Sequence, residues 1–298
     1  MSLLRSSTRT LDHIVHLTPP GTFHETAEQF RQLGFNVVAG GTHVDGLTAN
    51  SLIIMPDGAY LELLSFTHPE AHYPPSSPSR DARCRQQWAN KASGWVAFAF
   101  LGAPRATPPL SALLNERLRD EGSNTRYAPE VAGGRRRLDG REVQWEITPP
   151  ARWAEKEGGT RLPFFCGDVT PRELRVPTQP PSNSKHPNGA LGIAHLRVLA
   201  PPSVFAGAAA ELTAIVGEEP IDVSSNELVW LLDLPGQVTP KRHPQLVLCE
   251  PDVEDEGEMR FAQTHGAGLF EVGVRVDESD GKQGWSDTPF GRVAWVPL

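Results

Sequence analysis

The sequence predicts an α+β fold made of repeated β-α-β-β-β modules. A complete module can be followed through residues 11–66, two Asp-Gly turns join pairs of apolar runs, and the starting strand recurs along the chain. That strand reads LDHIVHLT, GWVAFAFL, IAHLRVLA and VGVRV in its successive copies. Such self-similarity favours a duplicated unit over unrelated α+β segments, although the period is long and irregular.

The first module is the easiest to follow. Residues 11–18 alternate apolar and polar side chains, as expected for a half-buried strand. Residues 22–33 place apolar side chains at helical spacing, and Gly34 follows where a helix commonly ends. The three strands predicted next are 35–39, 50–55 and 59–66. An Asp-Gly pair between the last two is typical of a hairpin.

The second module is interrupted and less regular. Its predicted elements are a strand at 93–102, a helix that ends before Gly122, an Asp-Gly hairpin and a strand at 162–169. Residues 67–91, which precede it, are rich in proline, serine and arginine. They predict an insertion with one short helix near residues 84–89.

The third module begins at residue 191 and contains a helix closed by Gly217, whereas the fourth is truncated. No helical pattern separates its strands at residues 268–276 and 290–298. Residues 171–189 show no periodicity and predict a linker. We therefore expect a first domain at residues 1–175 and a second, degenerate module pair at residues 186–298.

Composition indicates a globular protein and disfavours nucleic acids and acidic membranes as partners. The 298 residues suggest two domains at roughly 100–200 residues each. The hydrophobic share of 39% and charged share of 21% allow a real core. A net charge of -8 disfavours nucleic acids and acidic membrane surfaces, which are themselves negative. The acidic run at residues 250–258 predicts a solvated loop, because like charges resist burial.

Cysteine usage and the absence of several motifs favour a cytoplasmic protein without a nucleotide cofactor. Cys84, Cys166 and Cys249 are too far apart for a CxxC site, and Cys166 is expected to be a buried structural thiol rather than a nucleophile. The N-terminus lacks the apolar stretch of a signal peptide, and no window approaches the ~20 apolar residues of a membrane span. GxGxxG, P-loop, GxSxG and HExxH motifs are missing.

Residues 11–66 resemble the glyoxalase-like domain of the vicinal-oxygen-chelate superfamily. The distinctive pieces are GG-x-H, x-N-x-L and DG-x-YLEL, and LPFFCGD at 162–168 is similar to a segment that closes the same domain. The resemblance implies modules paired into cupped half-barrels around a pocket. It also implies a divalent metal (iron, manganese, nickel or zinc) that chelates two neighbouring substrate oxygens. Fold likeness does not select one reaction among the many that such proteins perform.

The resemblance places metal ligands at His13 and Glu62, and His195 repeats the His13 position in the third module. These three residues would form a two-histidine-one-carboxylate set. Because strand positions alternate, only one of His13 and His16 can face the cup. The alternatives are a core histidine at His13 and a solvent-facing Glu62. The second module has Trp95 at the histidine position, so no complete site is visible in the first pair.

Other candidates surround the same pocket. His43 is the candidate for general acid–base catalysis and Asn50 for orienting a carbonyl substrate, with a simple turn as the alternative. Aromatic substrate-binding walls are predicted at Trp95, Trp145 and Phe164, with core packing as the alternative. The run of arginines at residues 135–137 is expected to be a solvated face, and an anion site is the minor alternative.

These observations predict a small-molecule enzyme that performs a lyase or isomerase step on a dicarbonyl or phenolic metabolite. A ring-cleaving dioxygenase is one alternative, and it would need all three ligands around iron. A non-catalytic protein that sequesters a small molecule is another. No nucleic-acid or membrane partner is expected, and a homodimer is compatible with the sequence.

Overall fold

The protein is an α+β structure whose strands form two sheets, as predicted. The computed structural model describes residues 8–153, 161–235, 243–277, 282–288 and 291–298. One sheet closes into a barrel of eight strands, and the other is an open sheet of seven. Each sheet collects the strands of one half of the chain, so the paired modules expected from the sequence are present.

The barrel contains the first two modules. Its strands are β1 (Leu11–Thr18), β2 (Val38–His43), β3 (Thr48–Ile54), β4 (Tyr60–Phe66), β5 (Gly94–Leu101), β6 (Val131–Arg136), β7 (Glu142–Thr148) and β8 (Phe164–Asp168), with helices α1 (Phe23–Gln32) and α3 (Leu110–Asp120) between the first and second strands of each module. Their order around the barrel is β1-β4-β3-β2-β6-β7-β8-β5. Within each module the first strand therefore runs parallel to the last.

Two contacts between the modules close the barrel, and they differ in extent. Strand β1 pairs with β5 along most of its length. Strand β2 meets β6 only through the pairs Thr42–Arg136 and His43–Arg135. The β2–β6 seam is thus the weakest line in the barrel wall, because few ladder hydrogen bonds cross it.

The insertion between the modules covers part of the barrel. It forms helix α2 (Pro78–Arg85), which begins earlier than the helix predicted near residues 84–89. Ser77 supplies the N-cap by accepting a hydrogen bond from the Arg80 amide, and a proline in the first turn supports the same start. Trp88 follows the helix and is buried against the barrel interior.

The open sheet contains the third module and the truncated fourth. Its strands are β9 (Ala190–Leu199), β10 (Asp222–Val223), β11 (Glu227–Leu231), β12 (Gln245–Cys249), β13 (Gly268–Val276), β14 (Gly284–Thr288) and β15 (Gly291–Pro297), with helix α5 (Pro202–Val216) after the first strand. The order is β10-β11-β12-β9-β13-β15-β14. Among the described residues of the fourth module, β13 is followed by strands and by no helix, as predicted.

Helix α6 (Glu256–His265) covers the face of the open sheet that points away from the shared core. Phe261 packs there with a small cluster that includes Phe270. Glu258 is buried and accepts a hydrogen bond from Arg197 at 2.9 Å. The acidic run at residues 250–258 is therefore not a solvated loop throughout, because its last part begins a helix and the buried Glu258 pairs with the half-buried Arg197.

The two halves share one hydrophobic core. The largest cluster of buried side chains includes Phe98 and Phe100 from the barrel and Leu196, Leu212 and Val272 from the open sheet and its helix. The predicted linker at residues 171–189 is structured. It contains helix α4 (Arg172–Arg175), and the side chain of His186 bonds to the Asn36 amide and the Ile54 carbonyl.

In the part of the chain that the structure describes, no helix is both long and apolar enough to cross a membrane.

Asp57 holds the two halves together at the β3–β4 turn. Its carboxylate accepts hydrogen bonds from the Ile193 amide at 2.8 Å and from the Ala59 amide at 3.1 Å. An added Cβ on Gly192 would lie 2.2 Å from the same carboxylate, so glycine permits this close approach.

Asp57→Ala is expected to lower the free energy of unfolding by about 1–3 kcal/mol, because it leaves two amides without their acceptor. Urea denaturation measures this loss. Asp222→Ala, at an exposed position of β10, is the matched control and is expected to change little. Equal stabilities for the two variants would show that the contact between the halves does not depend on Asp57.

Candidate active site

The barrel encloses a cavity of about 350 Å³. Polar residues form one side of it and aromatic residues the other. The polar residues are His13, His43, Asn50, Tyr60, Glu62, Arg135 and Arg175. The aromatic residues are Trp88, Trp145, Trp153 and Phe164. A small apolar pocket with a few convergent polar groups is the usual form of a ligand site.

Strand alternation selects which histidine of β1 enters the cavity. Val15 and Leu17 pack with the barrel interior, and His13 lies on their side of the strand. His16 lies on the opposite side, where its ring contacts Phe30 and Trp95. Burial lowers the pKa of His16 to about 3, so this histidine is a neutral core residue.

Glu62 lies at the centre of the polar side. Its carboxylate accepts a hydrogen bond from the Asn50 amide at 2.5 Å. The Nε2 atoms of His13 and His43 lie 3.6 Å and 3.8 Å from its two oxygens. Both distances are too long for direct hydrogen bonds, and all three side chains line the cavity.

A β-bulge brings Asp12 to the same side of β1 as His13. The pairing of β1 with β5 shifts between Leu11 and His13, so Asp12 is an extra residue on its strand. The Asp12 carboxylate lies 2.7 Å from Nδ1 of His13. An ionised carboxylate can only accept, so Asp12 keeps a proton on Nδ1 and turns Nε2 towards Glu62.

Arg175 anchors this arrangement from helix α4. It donates to Asp12 at 2.7 and 3.1 Å, to Asp168 at 2.5 and 3.0 Å, and to the Tyr60 hydroxyl at 2.8 Å. Burial alone would raise the pKa of Asp12, but the guanidinium groups of Arg175 and Arg172 outweigh burial and hold this pKa well below its usual value. Asp12 is therefore ionised at neutral pH.

Arg135 is buried beside Glu62, contrary to the expectation of a solvated arginine run. It donates to the Asn50 side chain at 2.8 Å and to the Arg175 carbonyl at 2.6 Å, while its neighbour Arg136 is exposed. Its Nε atom is buried and has no hydrogen-bond partner among the described residues. A Cβ on Gly40 would lie 2.0 Å from the Asn50 oxygen and 2.5 Å from Arg135, so the backbone of β2 must be glycine there.

Burial also shifts the pKa of three further groups in the cavity. It lowers the pKa of His43, although Glu62 and Asp45 act in the opposite direction. Nδ1 of His43 lies 2.6 Å from the Thr48 hydroxyl, which orients the ring. Burial raises the pKa of Tyr60 well above its usual value, so its hydroxyl stays neutral. Burial also raises the pKa of Cys166 to about 12, which makes this thiol a poor nucleophile.

The aromatic side of the cavity consists of rings in mutual contact. Trp153 is stacked on Phe164 with ring centres 4.8 Å apart, and Trp88 meets Trp153 edge-on at 5.0 Å. Phe164 also contacts the ring of His13 edge-on at 5.3 Å. The aromatic wall therefore contacts His13 directly.

The structure brings some of the residues selected from the sequence together and separates others. His13, His43, Asn50, Glu62, Trp145 and Phe164 all line the cavity. His195 lies on β9 in the open sheet, where it bonds to Glu271 at 2.8 Å, and it does not reach this cavity. Trp95 faces the shared core and donates to the Arg292 carbonyl at 3.0 Å, so it is not a wall of the cavity.

Three charged residues of the site were not selected from the sequence. Asp12 is next to His13, and strand alternation alone places it on the other face; only the bulge turns it inward. Arg135 belongs to a run of arginines, and Arg175 belongs to a segment without periodicity. The one sequence signal for such partners is Glu62 itself, because a carboxylate flanked by large apolar residues requires a cation or donor nearby.

The side chains present do not assemble the three-ligand metal centre that the resemblance implies. Among the described residues, no group of three histidine, cysteine, aspartate or glutamate side chains could hold a metal ion. The inward positions of the second module are Ala97 and Ala99 on β5 and Phe164 and Cys166 on β8. These positions carry no histidine or carboxylate that could complete a site with His13 and Glu62.

The chain belongs to the family of proteins with a glyoxalase-like domain, whose family model matches residues 11–216. The match confirms the glyoxalase-like domain that the sequence motifs indicated. The matched segment contains the whole barrel and ends with helix α5 of the third module. No curated protein matches the sequence.

Solved structures extend the likeness in fold to the whole chain. A hypothetical protein from Staphylococcus aureus has a TM-score of 0.65 at 11% identity, over 97% of this chain and 99% of that one. A mutant 4-hydroxymandelate synthase from Streptomyces coelicolor has a TM-score of 0.48 at 12% identity, over 95% and 78%. A fusion of a xylose isomerase-like TIM barrel with 4-hydroxyphenylpyruvate dioxygenase has a TM-score of 0.47 at 10% identity. The likeness covers 93% of this chain and 38% of the fusion protein.

Arg175→Met is expected to lower the free energy of unfolding by about 3–5 kcal/mol, because it removes the buried cation that pairs with the buried Asp12 and with Asp168. Chemical denaturation of the full chain measures the loss. Arg172→Met is the matched comparison, since Arg172 also contacts Asp12 and Asp168 but is partly exposed. Its loss is expected to be less than half as large. An equal or larger loss for Arg172→Met would contradict the central role given to Arg175.

Proposed function

We propose that the protein is an enzyme that moves a proton on a small molecule carrying two neighbouring oxygens, in a lyase or isomerase step. The observation that supports this most directly is Glu62 between the Nε2 atoms of His13 and His43 inside the barrel cavity. A carboxylate and an imidazole that face one point can remove a proton and return it at the adjacent atom.

The proposed step begins with Glu62 as the base. It takes a proton from the carbon next to a carbonyl, and the electron pair of that C–H bond forms a carbon–carbon double bond. This gives an enediolate, and the proton of the neighbouring hydroxyl passes through an imidazole Nε2 to the former carbonyl oxygen. Glu62 then returns its proton to the former carbonyl carbon while the other oxygen becomes the new carbonyl, which completes an isomerisation. In a lyase step the electron pair of the enediolate would instead expel a leaving group from the adjacent carbon, and that group would depart with the electrons of its bond.

Other residues of the cavity position the substrate oxygens in this scheme. Nε2 of His13 exchanges a proton with the first oxygen, while Asp12 fixes the opposite nitrogen of the ring. His43 is neutral at neutral pH and can accept a proton from the second oxygen. Asn50 and the free Nε–H of Arg135 supply fixed donors near the charge that develops on oxygen.

The chemistry is assigned to side chains of the chain itself because the metal set predicted from the sequence does not assemble. The dioxygenase alternative requires His195 beside His13 and Glu62, and His195 is paired with Glu271 in the other sheet. The alternative of a non-catalytic binder keeps one supporting observation, the continuous aromatic wall, which would retain a ligand without turnover.

Glu62→Gln is expected to slow proton exchange about 10²–10⁴-fold, because a carboxamide cannot act as a base. The measurement is deuterium uptake from D₂O at carbon in hydroxyacetone and in 2-hydroxy-1-phenylethanone, followed by NMR with the full chain. Each compound carries a carbonyl and a hydroxyl on adjacent carbons.

Glu271→Gln is the matched control, since Glu271 also faces a histidine but lies in the open sheet. The Glu271→Gln protein is expected to catalyse deuterium uptake by both compounds at the wild-type rate. If wild type and Glu62→Gln take up deuterium equally slowly in both compounds, the protein is a binder rather than an enzyme of this kind.

Dialysis against a chelator is expected to leave the exchange rate unchanged, because the acid and base groups belong to the chain. Elemental mass spectrometry of the purified protein, alongside His13→Ala and Glu62→Ala, provides the check. Near-stoichiometric metal in the wild type, lost together with activity in both variants, would instead restore the metal-dependent mechanism.

A further inference from the structure

The charged side chains around the cavity are compensated by one another. All five N–H donors of Arg175 are used, four of them on Asp12 and Asp168 and one on the Tyr60 hydroxyl. Asn50 links Glu62 to Arg135, because its amide donates to Glu62 and its oxygen accepts from Arg135. The formal charges of Arg135, Arg172 and Arg175 are therefore equalled by those of Asp12, Asp168 and Glu62 before any ligand binds, although Arg135 reaches Glu62 only through Asn50.

The approach to the cavity adds negative charge. Asp45 is exposed and lines the cavity near the β2–β6 seam. Among the described residues that line the cavity, none is a lysine, and its two arginines are the ones matched above. A carboxylate or phosphate on the ligand would meet Asp45 at the mouth and Glu62 inside, and like charges brought together in a buried site cost binding energy.

The remaining surface of the cavity suits a flat ring. Trp88, Trp153 and Phe164 form connected aromatic faces and edges. Trp145 lies against the backbone of Gly133, where an added Cβ would be 2.2 Å from the indole nitrogen, so the indole occupies space that a side chain would fill. A cavity of about 350 Å³ is at the small end of ligand pockets, which limits the ligand to one or two rings.

We propose that the cavity binds an uncharged, flat aromatic compound of one or two rings that carries a hydroxyl or carbonyl oxygen. The orientation of that oxygen towards Glu62 rests on the proposed function, whereas the absence of charge and the aromatic character follow from the walls. Offset stacking on Trp153 or Phe164 would hold the ring.

Isothermal titration calorimetry with three compounds of similar shape tests the proposal without requiring turnover. The compounds are 2-naphthol, 2-naphthoate and decahydro-2-naphthol. We expect 2-naphthol to bind at least about tenfold more tightly than 2-naphthoate, because the carboxylate adds a buried like charge. We expect it to bind about three- to tenfold more tightly than the saturated alcohol, which cannot stack on the aromatic wall.

Two variants assign the selectivity to the cavity. Asp45→Asn is expected to raise the affinity for 2-naphthoate while leaving 2-naphthol within about threefold, since only the charge at the mouth changes and the amide oxygen can still accept from the Leu47 amide. Glu271→Gln in the open sheet is expected to change neither affinity. The unfolding temperature of each variant shows that it is folded before it is titrated.

Two results would overturn the proposal. One is 2-naphthoate binding as tightly as 2-naphthol or more so, which would make Arg135 the anchor of a carboxylate. The other is no binding of 2-naphthol to folded wild-type protein. The outcome is separable from that of the proposed function. Preference for 2-naphthol with no deuterium exchange leaves the ligand class standing and removes the enzyme, while Glu62-dependent exchange with tighter 2-naphthoate binding does the reverse.

Discussion

The ion cluster of Asp12, Asp168 and Arg175 is the interaction on which the cavity depends. It joins the first strand of the barrel, the last strand and the short helix that follows. Burying three charges is expensive, and good geometry with every donor used is what makes such a cluster tolerable. The cluster also positions residues that line the cavity. The ionised Asp12 fixes the ring of His13, and the Arg175 carbonyl accepts a hydrogen bond from Arg135.

The sequence predicted the fold and only part of the site. The features that it missed depend on structure that local sequence signals do not reveal. Strand periodicity and turn residues are local signals, so the modules and the hairpins could be predicted directly. Periodicity showed only that one of His13 and His16 faces the cavity, and the choice of His13 came from the family resemblance. Asp12 depends on a one-residue bulge, and Arg175 depends on a segment without any periodic pattern. Arg135 enters the barrel while Arg136 points outward, a difference that a run of identical residues cannot reveal.

The same pair of residue types is arranged differently in the two halves. His195 on β9 and Glu271 on β13 form a direct hydrogen bond at 2.8 Å, whereas His13 and Glu62 are held 3.6 Å apart. In the open sheet, helix α6 packs over the face that carries this pair, with Phe261 against Phe270. Repetition of a histidine along the chain therefore did not imply a shared site.

The balance of charges within the barrel connects its architecture to the ligand proposed for it. The second module offers alanine, phenylalanine and cysteine at its inward positions, so no ligand set there competes for Glu62. The carboxylate instead accepts a hydrogen bond from the Asn50 amide and lies near the guanidinium of Arg135. In a low-dielectric cavity each of these groups interacts strongly with its partner, and a further full charge would find no counterion. The proposed ligand, a neutral ring with one polar oxygen, disturbs this balance of charges least. The proposed proton transfer to Glu62 adds no charge to the cavity and only moves the existing negative charge from Glu62 to the ligand.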